Sequence, residues 1–177
     1  VSIPHQRAAR ANAVISRASE YAIRALTYLA SQPPGSFHLA RDMGERLGIP
    51  APFLAKILQP LVARGLVHSQ RGRSGGFRLA KEPSEINLHE IVDAEEHLGR
   101  LGQCMLGQAE CSSERACPLH DYWSATADQY LGVLSTTTID TLVRFGSERP
   151  DCHYPLPGLD RIEGDRSDPL GGAAPPL

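Results

Sequence analysis

A change of hydrophobic period between residues 39 and 80 constrains the fold more than any other feature. Apolar residues first recur at helical spacing in two segments, which are separated by a short turn at Gly48, Ile49 and Pro50. After Gly65 the spacing approaches two, and two strand-like runs flank a glycine-rich stretch at residues 72–76. This order predicts two short helices joined by a tight turn and followed by a β-hairpin.

A further helix precedes this unit. Its apolar residues recur from Tyr21 to Leu29, and a proline-rich stop at residues 32–35 ends it. The second helix is expected over residues 39–47, and the third over residues 51–64. Pro60 lies inside the third helix and is expected to kink or end it, leaving about two turns. Three helices and a hairpin predict a winged helix-turn-helix.

The remaining chain divides by pattern. We expect a flexible leader at 1–15, the winged helix-turn-helix domain at 16–96 with a fourth helix at 88–96, and a cysteine loop at 97–117. A long helical stretch at 118–145, in which residues 139–145 continue as a short helix or turn, has an apolar face that one small domain cannot cover, so we expect it to form a homodimer. The proline-rich tail at 146–177 is expected to be disordered. The predicted fold class is mainly α with a small β wing, together with a long dimerisation helix.

Charge is distributed unevenly along the chain. Residues 1–81 carry twelve Lys and Arg against three Asp and Glu, whereas the rest carries six against seventeen. A basic half attracts phosphates even when the overall net charge is only −2. Double-stranded DNA is therefore the expected partner of the first half.

Candidate DNA contacts lie on the third helix and the hairpin tip. In a helix-turn-helix the second helix of the motif enters the major groove, where side chains reach base edges. The arginines of the tip suit phosphates and narrow minor grooves, and its glycines allow close approach. The alternatives are an ordinary helical bundle and a solvated turn. The candidates are Pro52, Lys56 and Gln59 on the helix, and Arg71, Arg73, Ser74 and Gly75 on the wing.

Three of the four cysteines crowd into one short segment. Cys104, Cys111 and Cys117 are followed by His120, and glycines and serines lie between them. Clustered thiols indicate an iron-sulfur cluster or zinc in a reducing cytoplasm rather than a disulfide scaffold. Three Cys and one His also form a sound zinc set, and His120 is equally compatible with an ordinary surface position. No apolar run is long enough to cross a membrane, so a cytoplasmic protein without a membrane partner is expected.

Taken together, these segments resemble the Rrf2 family of winged-helix regulators, which includes IscR, NsrR and RirA. The resemblance spans about residues 15–145. It rests on SRASEYAIRALTYLA, on IPAPFLAKILQPLVARGLVHSQRGRSGGFRLAK, on the three-cysteine loop, and on CPLHDYW with STTTIDTLV after it.

The resemblance implies a homodimer that reads a partly palindromic operator, with the state of an iron-sulfur cluster setting DNA affinity. Cys104, Cys111 and Cys117 match the family's cluster cysteines. His120 matches the histidine ligand of IscR-like members, whereas Glu20 matches an acidic fourth ligand that other members take from the partner subunit. One extra residue between the first two cysteines, relative to IscR, leaves both 2Fe-2S and 4Fe-4S open.

The leading hypothesis is a DNA-binding regulator whose cluster senses iron, redox state or nitric oxide. The alternatives are a zinc-stabilised regulator and a cluster-free one that responds to a small molecule or a protein partner. An enzyme is not expected, because no catalytic triad, phosphate loop or paired carboxylates stand out.

Overall fold

The computed structural model describes residues 14–72, 75–108, 111–115 and 117–149. Within these residues it is mainly helical, with one small antiparallel sheet, as the sequence predicts. The helices are α1 (Arg17–Ala30), α2 (Ala40–Leu47), α3 (Ala51–Ala63), α4 (Leu88–Glu96), α5 (His120–Thr136) and α6 (Ile139–Glu148), and the strands are β1 (Val67–Gln70) and β2 (Gly76–Leu79).

Glycines set the tight contact between α2 and α3. Gly48 ends α2 in the left-handed conformation with φ +63°, which suits a residue without a Cβ. Gly44 faces the turn so closely that a Cβ there would lie 2.5 Å from the carbonyl oxygen of Ile49. The two helices of the motif can therefore approach each other only because Gly44 lacks a side chain.

The wing is attached to the helical body by a third extended segment. Strands β1 and β2 pair from Val67 opposite Leu79 to Gln70 opposite Gly76. His38, just before α2, pairs with Phe77 through two backbone hydrogen bonds of 2.9 and 2.8 Å. The sequence analysis did not predict this bridge, because it joins residues 39 positions apart and has no local signal.

Apolar side chains from all six helices and both strands form one core. Its fully buried members share an aliphatic character and come mostly from α1, α3 and α4: Leu26, Met43, Leu54, Leu58, Leu61, Leu66, Ile86, Ile91, Val92 and Ile139. Burial of this kind is the main source of stability for a chain of this size.

The expectation that Pro60 shortens the third helix is wrong. Helix α3 runs for 13 residues through Pro60 to Ala63. A proline at this position removes the backbone hydrogen bond to Lys56, one turn earlier. Lys56 is an exposed residue, so water reaches this side of the helix, while Leu58 and Leu61 hold the opposite side in the core.

The long helical stretch expected at 118–145 contains two helices, in line with the short helix or turn expected at residues 139–145. Helix α5 ends at Thr136, and Thr138 then caps α6 by accepting a hydrogen bond from the backbone N–H of Thr141. Helix α6 turns back so that Ile139 is fully buried and Leu142 and Val143 pack against the core. Only α5 thus projects as the expected long helix.

The ends of the chain are described only in part. Most of the expected leader, residues 1–13, and the tail from residue 150 lie outside the described residues. Residues 146–148, assigned to the tail, belong to α6, and Ile15 packs against the core. Among the described residues, no helix has the length and apolar character needed to span a membrane.

Candidate nucleic-acid interface and cysteine site

Helix α3 presents a polar outer stripe opposite its buried one. Pro52, Lys56 and Gln59 are all exposed, at the spacing of successive helical turns. The buried stripe of Leu54 and Leu58 faces the core. The helical period therefore placed these three predicted contacts on one exposed face, which is what a helix that enters a major groove requires.

The wing tip is shaped by close backbone contact. Gly75 is buried, and a Cβ there would lie 2.2 Å from the carbonyl oxygen of Gln70. Its N–H donates to the carbonyl of Gly72 at 3.1 Å, which closes the turn. Arg71 is exposed at the start of the tip. The other two predicted wing contacts, Arg73 and Ser74, lie outside the described residues.

Phe53 is an exposed aromatic residue that the sequence analysis did not select. It lies in the first turn of α3 with 39% of its surface exposed, and its ring meets the ring of Tyr21 edge-on at 5.9 Å. This contact ties the start of α3 to α1. The helical period alone could have located Phe53 on the flank of the outer stripe.

The cysteine loop leaves α4 through an unusual residue. His97 adopts the left-handed conformation with φ +56°, which few residues other than glycine adopt readily. A short 3₁₀ turn, Leu98–Gly102, follows and buries Leu98. The indole N–H of Trp123 on α5 then donates to the carbonyl of Gln103 at 3.0 Å, fixing the residue just before Cys104.

The three thiols and His120 lie close together. Cys111 Sγ is 3.3 Å from Nδ1 of His120, and Cys104 and Cys117 lie close enough to Cys111 to shift its pKa. Backbone N–H groups at residues 106–108, with the Cys117 thiol, lower the pKa of Cys104, although burial opposes them. Burial, with the nearby Cys104 and Cys117 sulfurs, raises the pKa of Cys111. The loop thus gathers the predicted ligands and favours a thiolate at Cys104.

In the part of the chain that the structure describes, no group of three or more His, Cys, Asp or Glu side chains is arranged to hold a metal ion. Glu20, the other candidate ligand, lies in the first turn of α1, where its carboxylate is 3.9 Å from Arg24.

The carboxyl end of α4 connects the loop to the rest of the domain. Glu96 accepts hydrogen bonds from the backbone N–H of Ser16 at 2.6 Å and from the hydroxyl of Ser19, which anchors the start of α1. Burial, together with the neighbouring Glu96, raises the pKa of Glu95 and of Tyr130. Asp93 accepts hydrogen bonds from Arg64, which follows α3, and from the backbone N–H of Leu98.

The chain is similar to known bacterial regulators over most of its length. A family profile described as Rrf2, iron-dependent transcriptional regulator, matches residues 15–144. NsrR of Shouchella clausii is 34% identical over 126 residues, covering 71% of this chain and 85% of the relative. IscR of Photorhabdus laumondii is 33% identical over 124 residues, covering 70% and 74%.

Solved structures support the same fold. CymR, the global cysteine regulator of Bacillus subtilis, superposes with a TM-score of 0.63 at 24% identity, covering 74% of this chain and 96% of that one. IscR of T. potens gives a TM-score of 0.61 at 23% identity, covering 76% and 88%. The relatives are regulators rather than enzymes, in line with the sequence-based expectation. The chain belongs to the Rrf2 family of DNA-binding transcriptional regulators.

Proposed function

We propose that this regulator binds an iron-sulfur cluster at Cys104, Cys111 and Cys117, and that the cluster sets its affinity for an operator. The observation that carries the proposal is the convergence of three thiols and His120 on one loop, with Cys111 and His120 3.3 Å apart. The similarity to NsrR and IscR supports the same reading.

The chain's own residues suit such a group. Thiolates are the usual protein ligands of iron-sulfur clusters, and hydrogen bonds to the sulfurs tune them. Backbone N–H groups at residues 106–108 already favour the thiolate of Cys104. A bound cluster would supply a centre that reacts with oxidants or nitric oxide and that depends on iron supply.

The fourth ligand is either His120 of the same chain or Glu20 of the partner subunit. His120 begins α5, and its backbone N–H donates to the carbonyl of Cys117 at 2.9 Å, so the helix start and the third cysteine stay together. Glu20 is available only if two copies associate. Ligation by His120 therefore needs a single chain, whereas ligation by Glu20 needs a dimer.

We infer that α5 forms the contact between two copies. Its buried residues are few, while Tyr122 and Val133 expose 70% and 57% of their surface. An amphipathic helix that exposes such side chains is typical of a dimer interface. Val133→Asp should yield a monomer in sedimentation analysis and abolish tight binding to a two-half-site operator, whereas a dimeric Val133→Asp protein would contradict this assignment.

Anaerobic purification tests the cluster directly. Iron and acid-labile sulfide are measured beside the visible absorption spectrum for the wild type and for Cys104→Ala, Cys111→Ala and Cys117→Ala. We expect all three variants to lose the cluster and Cys152→Ala, the matched control, to keep it. His120→Ala and Glu20→Ala identify the fourth ligand by which of them changes the spectrum. Equal operator affinity for the cluster-loaded and cluster-free proteins would overturn the sensing role.

Zinc is the first alternative occupant, because three Cys and one His form a good tetrahedral set. A colourless protein that contains stoichiometric zinc and binds the operator would show that the site holds a structural zinc ion rather than a cluster.

A regulator that senses through its thiols alone is the second candidate. The three cysteines lie close enough to affect one another's pKa, and solved structures similar to this chain include the cysteine regulator CymR and an oxidised form of Staphylococcus aureus CymR. If this candidate is correct, metal-free protein should respond to a small molecule or a protein partner. Regulated DNA binding that survives replacement of all three cysteines would instead place the signal elsewhere in the chain.

A further inference from the structure

A series of hydrogen bonds joins the end of α3, the predicted recognition helix, to the start of the cysteine loop. Arg64 follows α3 directly, and its guanidinium donates from Nη1 to Asp93 Oδ2 at 2.6 Å and from Nη2 to the Asp93 carbonyl oxygen at 3.1 Å. The other carboxylate oxygen of Asp93, Oδ1, accepts the backbone N–H of Leu98 at 2.8 Å. One aspartate thus holds both elements at once.

Both ends of this chain of contacts lie beside functional segments. On the side of the predicted DNA contacts, Arg64 is five residues beyond Gln59 and directly follows the last residue of α3. Toward the loop, Leu98 opens the 3₁₀ turn that leads to Cys104, and its side chain is buried with 7% exposed. Displacing Leu98 would therefore disturb Asp93, and displacing Asp93 would disturb Arg64.

The geometry at Asp93 is specific to its two partners. A planar guanidinium can engage a side-chain oxygen and a carbonyl oxygen together, which an ammonium group cannot do with one fixed geometry. The left-handed conformation of His97 brings the chain back so that the N–H of Leu98 reaches the carboxylate five residues earlier. A change in the loop that alters His97 would withdraw this N–H from Asp93.

We propose that Asp93 is a positioning residue that couples the cysteine loop to the recognition helix within one subunit, through Leu98 on one side and Arg64 on the other. The use of this coupling to transmit a metal or thiol signal rests on the proposed function of the loop. The mechanical link itself requires only the contacts among Arg64, Asp93 and Leu98. It differs from a route through the dimer helix α5, because it needs no second copy.

Hydrogen exchange on the full-length chain tests the link without any assumption about the bound group. The probe is a DNA duplex selected from a random pool by repeated binding to this protein, added to saturation. Energetic coupling along packed networks is typically of a size that changes an opening equilibrium by about 2- to 30-fold. We expect amides at residues 98–103 of the wild type to exchange more slowly by a factor in this range when DNA is bound.

Variants at Arg64 decide between coupling and simple proximity. Arg64→Gln and Arg64→Lys should still bind DNA but lose the slowing at residues 98–103. The matched control is Lys81→Gln, which breaks the Lys81–Glu90 ion pair of 3.1 Å on the same helix α4 and has similar exposure. This control should retain the slowing. No slowing in the wild type, or equal slowing in the Arg64 variants, would overturn the proposal.

A second readout separates this inference from the proposed function. In cluster-loaded protein, the ratio of operator affinities with and without the cluster should fall toward one in Arg64→Gln, while iron content is unchanged. If the wild type assembles no cluster, the proposed function fails, and the exchange experiment still decides whether Asp93 couples the two segments.

Discussion

In the winged-helix half, α1, α2, α3 and the wing bury their apolar side chains against one another, whereas the described part of the cysteine loop buries only Leu98 and Cys104. The first region is held mainly by the hydrophobic effect, and the second mainly by hydrogen bonds that Trp123 and backbone N–H groups donate, one of them to the carboxylate of Asp93. A segment held by a few polar contacts can rearrange at low cost. Under the proposed function, a signal would be received where packing is sparse and read out where packing is dense.

The packing of the helix-turn-helix gives the largest expected effect. In Gly44→Ala the new methyl group would meet the Ile49 carbonyl at 2.5 Å, so we expect the free energy of unfolding to fall by about 1–3 kcal/mol. Urea denaturation measures this loss. Gly132→Ala on α5 is the control, because nothing lies within 4 Å of its new Cβ, and we expect a gain of about 0.5–1 kcal/mol. A Gly44→Ala protein as stable as the wild type would show that the motif is less tightly packed than described.

The outer face of α3 should carry sequence preference. Gln59→Ala is expected to cost about 1–3 kcal/mol of discrimination on the preferred operator, because an amide that reads a base edge is lost. Arg71→Ala provides the contrast, since a phosphate contact weakens binding to all sequences and reduces the salt slope by about one. Competition binding at several salt concentrations measures both. The same pattern for the two variants would contradict the assignment of helix and wing.

Loosening the cysteine loop should leave the helical half intact. Trp123→Phe removes the donor to the Gln103 carbonyl, and we expect local opening of the loop to become easier by about 0.5–1.5 kcal/mol. Hydrogen exchange at residues 98–108 measures the change, while the unfolding midpoint should move little. Tyr122→Phe, at the neighbouring exposed position, serves as the control. If Trp123→Phe unfolds the whole chain as readily as it opens the loop, the two regions are not distinct.

The smallest effect is the pH dependence of the link between the regions. The hydrogen bond from Arg64, with further help from the Leu98 N–H and the charges of Arg64 and His89, lowers the pKa of Asp93 below its ordinary value of 3.8, although burial opposes this. A lowered folded-state pKa contributes stability that is present above pH 3.8 and is lost as the pH falls through the folded value. Acid titrations of stability should therefore be flatter for Asp93→Asn. If the free energy of unfolding falls with acid equally in Asp93→Asn and in the wild type, the Asp93 carboxylate does not contribute to stability.

The sequence was sufficient for elements whose signals are local. The turn at Gly48 after α2 and the bounds of α4 both followed from local turn signals and helical periodicity. The exposed stripe of Lys56 and Gln59 followed from the same helical period. These features depend on residues within one or two turns of each other.

Features that depend on distant partners or on solvent could not be read in the same way. Whether Pro60 breaks α3 depends on whether the carbonyl it leaves unpaired faces water, and this depends on the surrounding fold. The contact of Arg64 with Asp93 joins positions 29 residues apart and has no sequence signal. The short helix or turn expected at residues 139–145 does match α6, whose side-chain N-cap is Thr138.

The bridge between His38 and Phe77 limits how this protein can be switched. Since it fastens the wing to the segment that enters α2, we expect α3 and the described wing residues, Arg71 among them, to move as one body. If these elements hold the proposed DNA contacts, a signal would shift both together. Loss of binding should then be all-or-none for each half-site, without a state that keeps the wing contact alone.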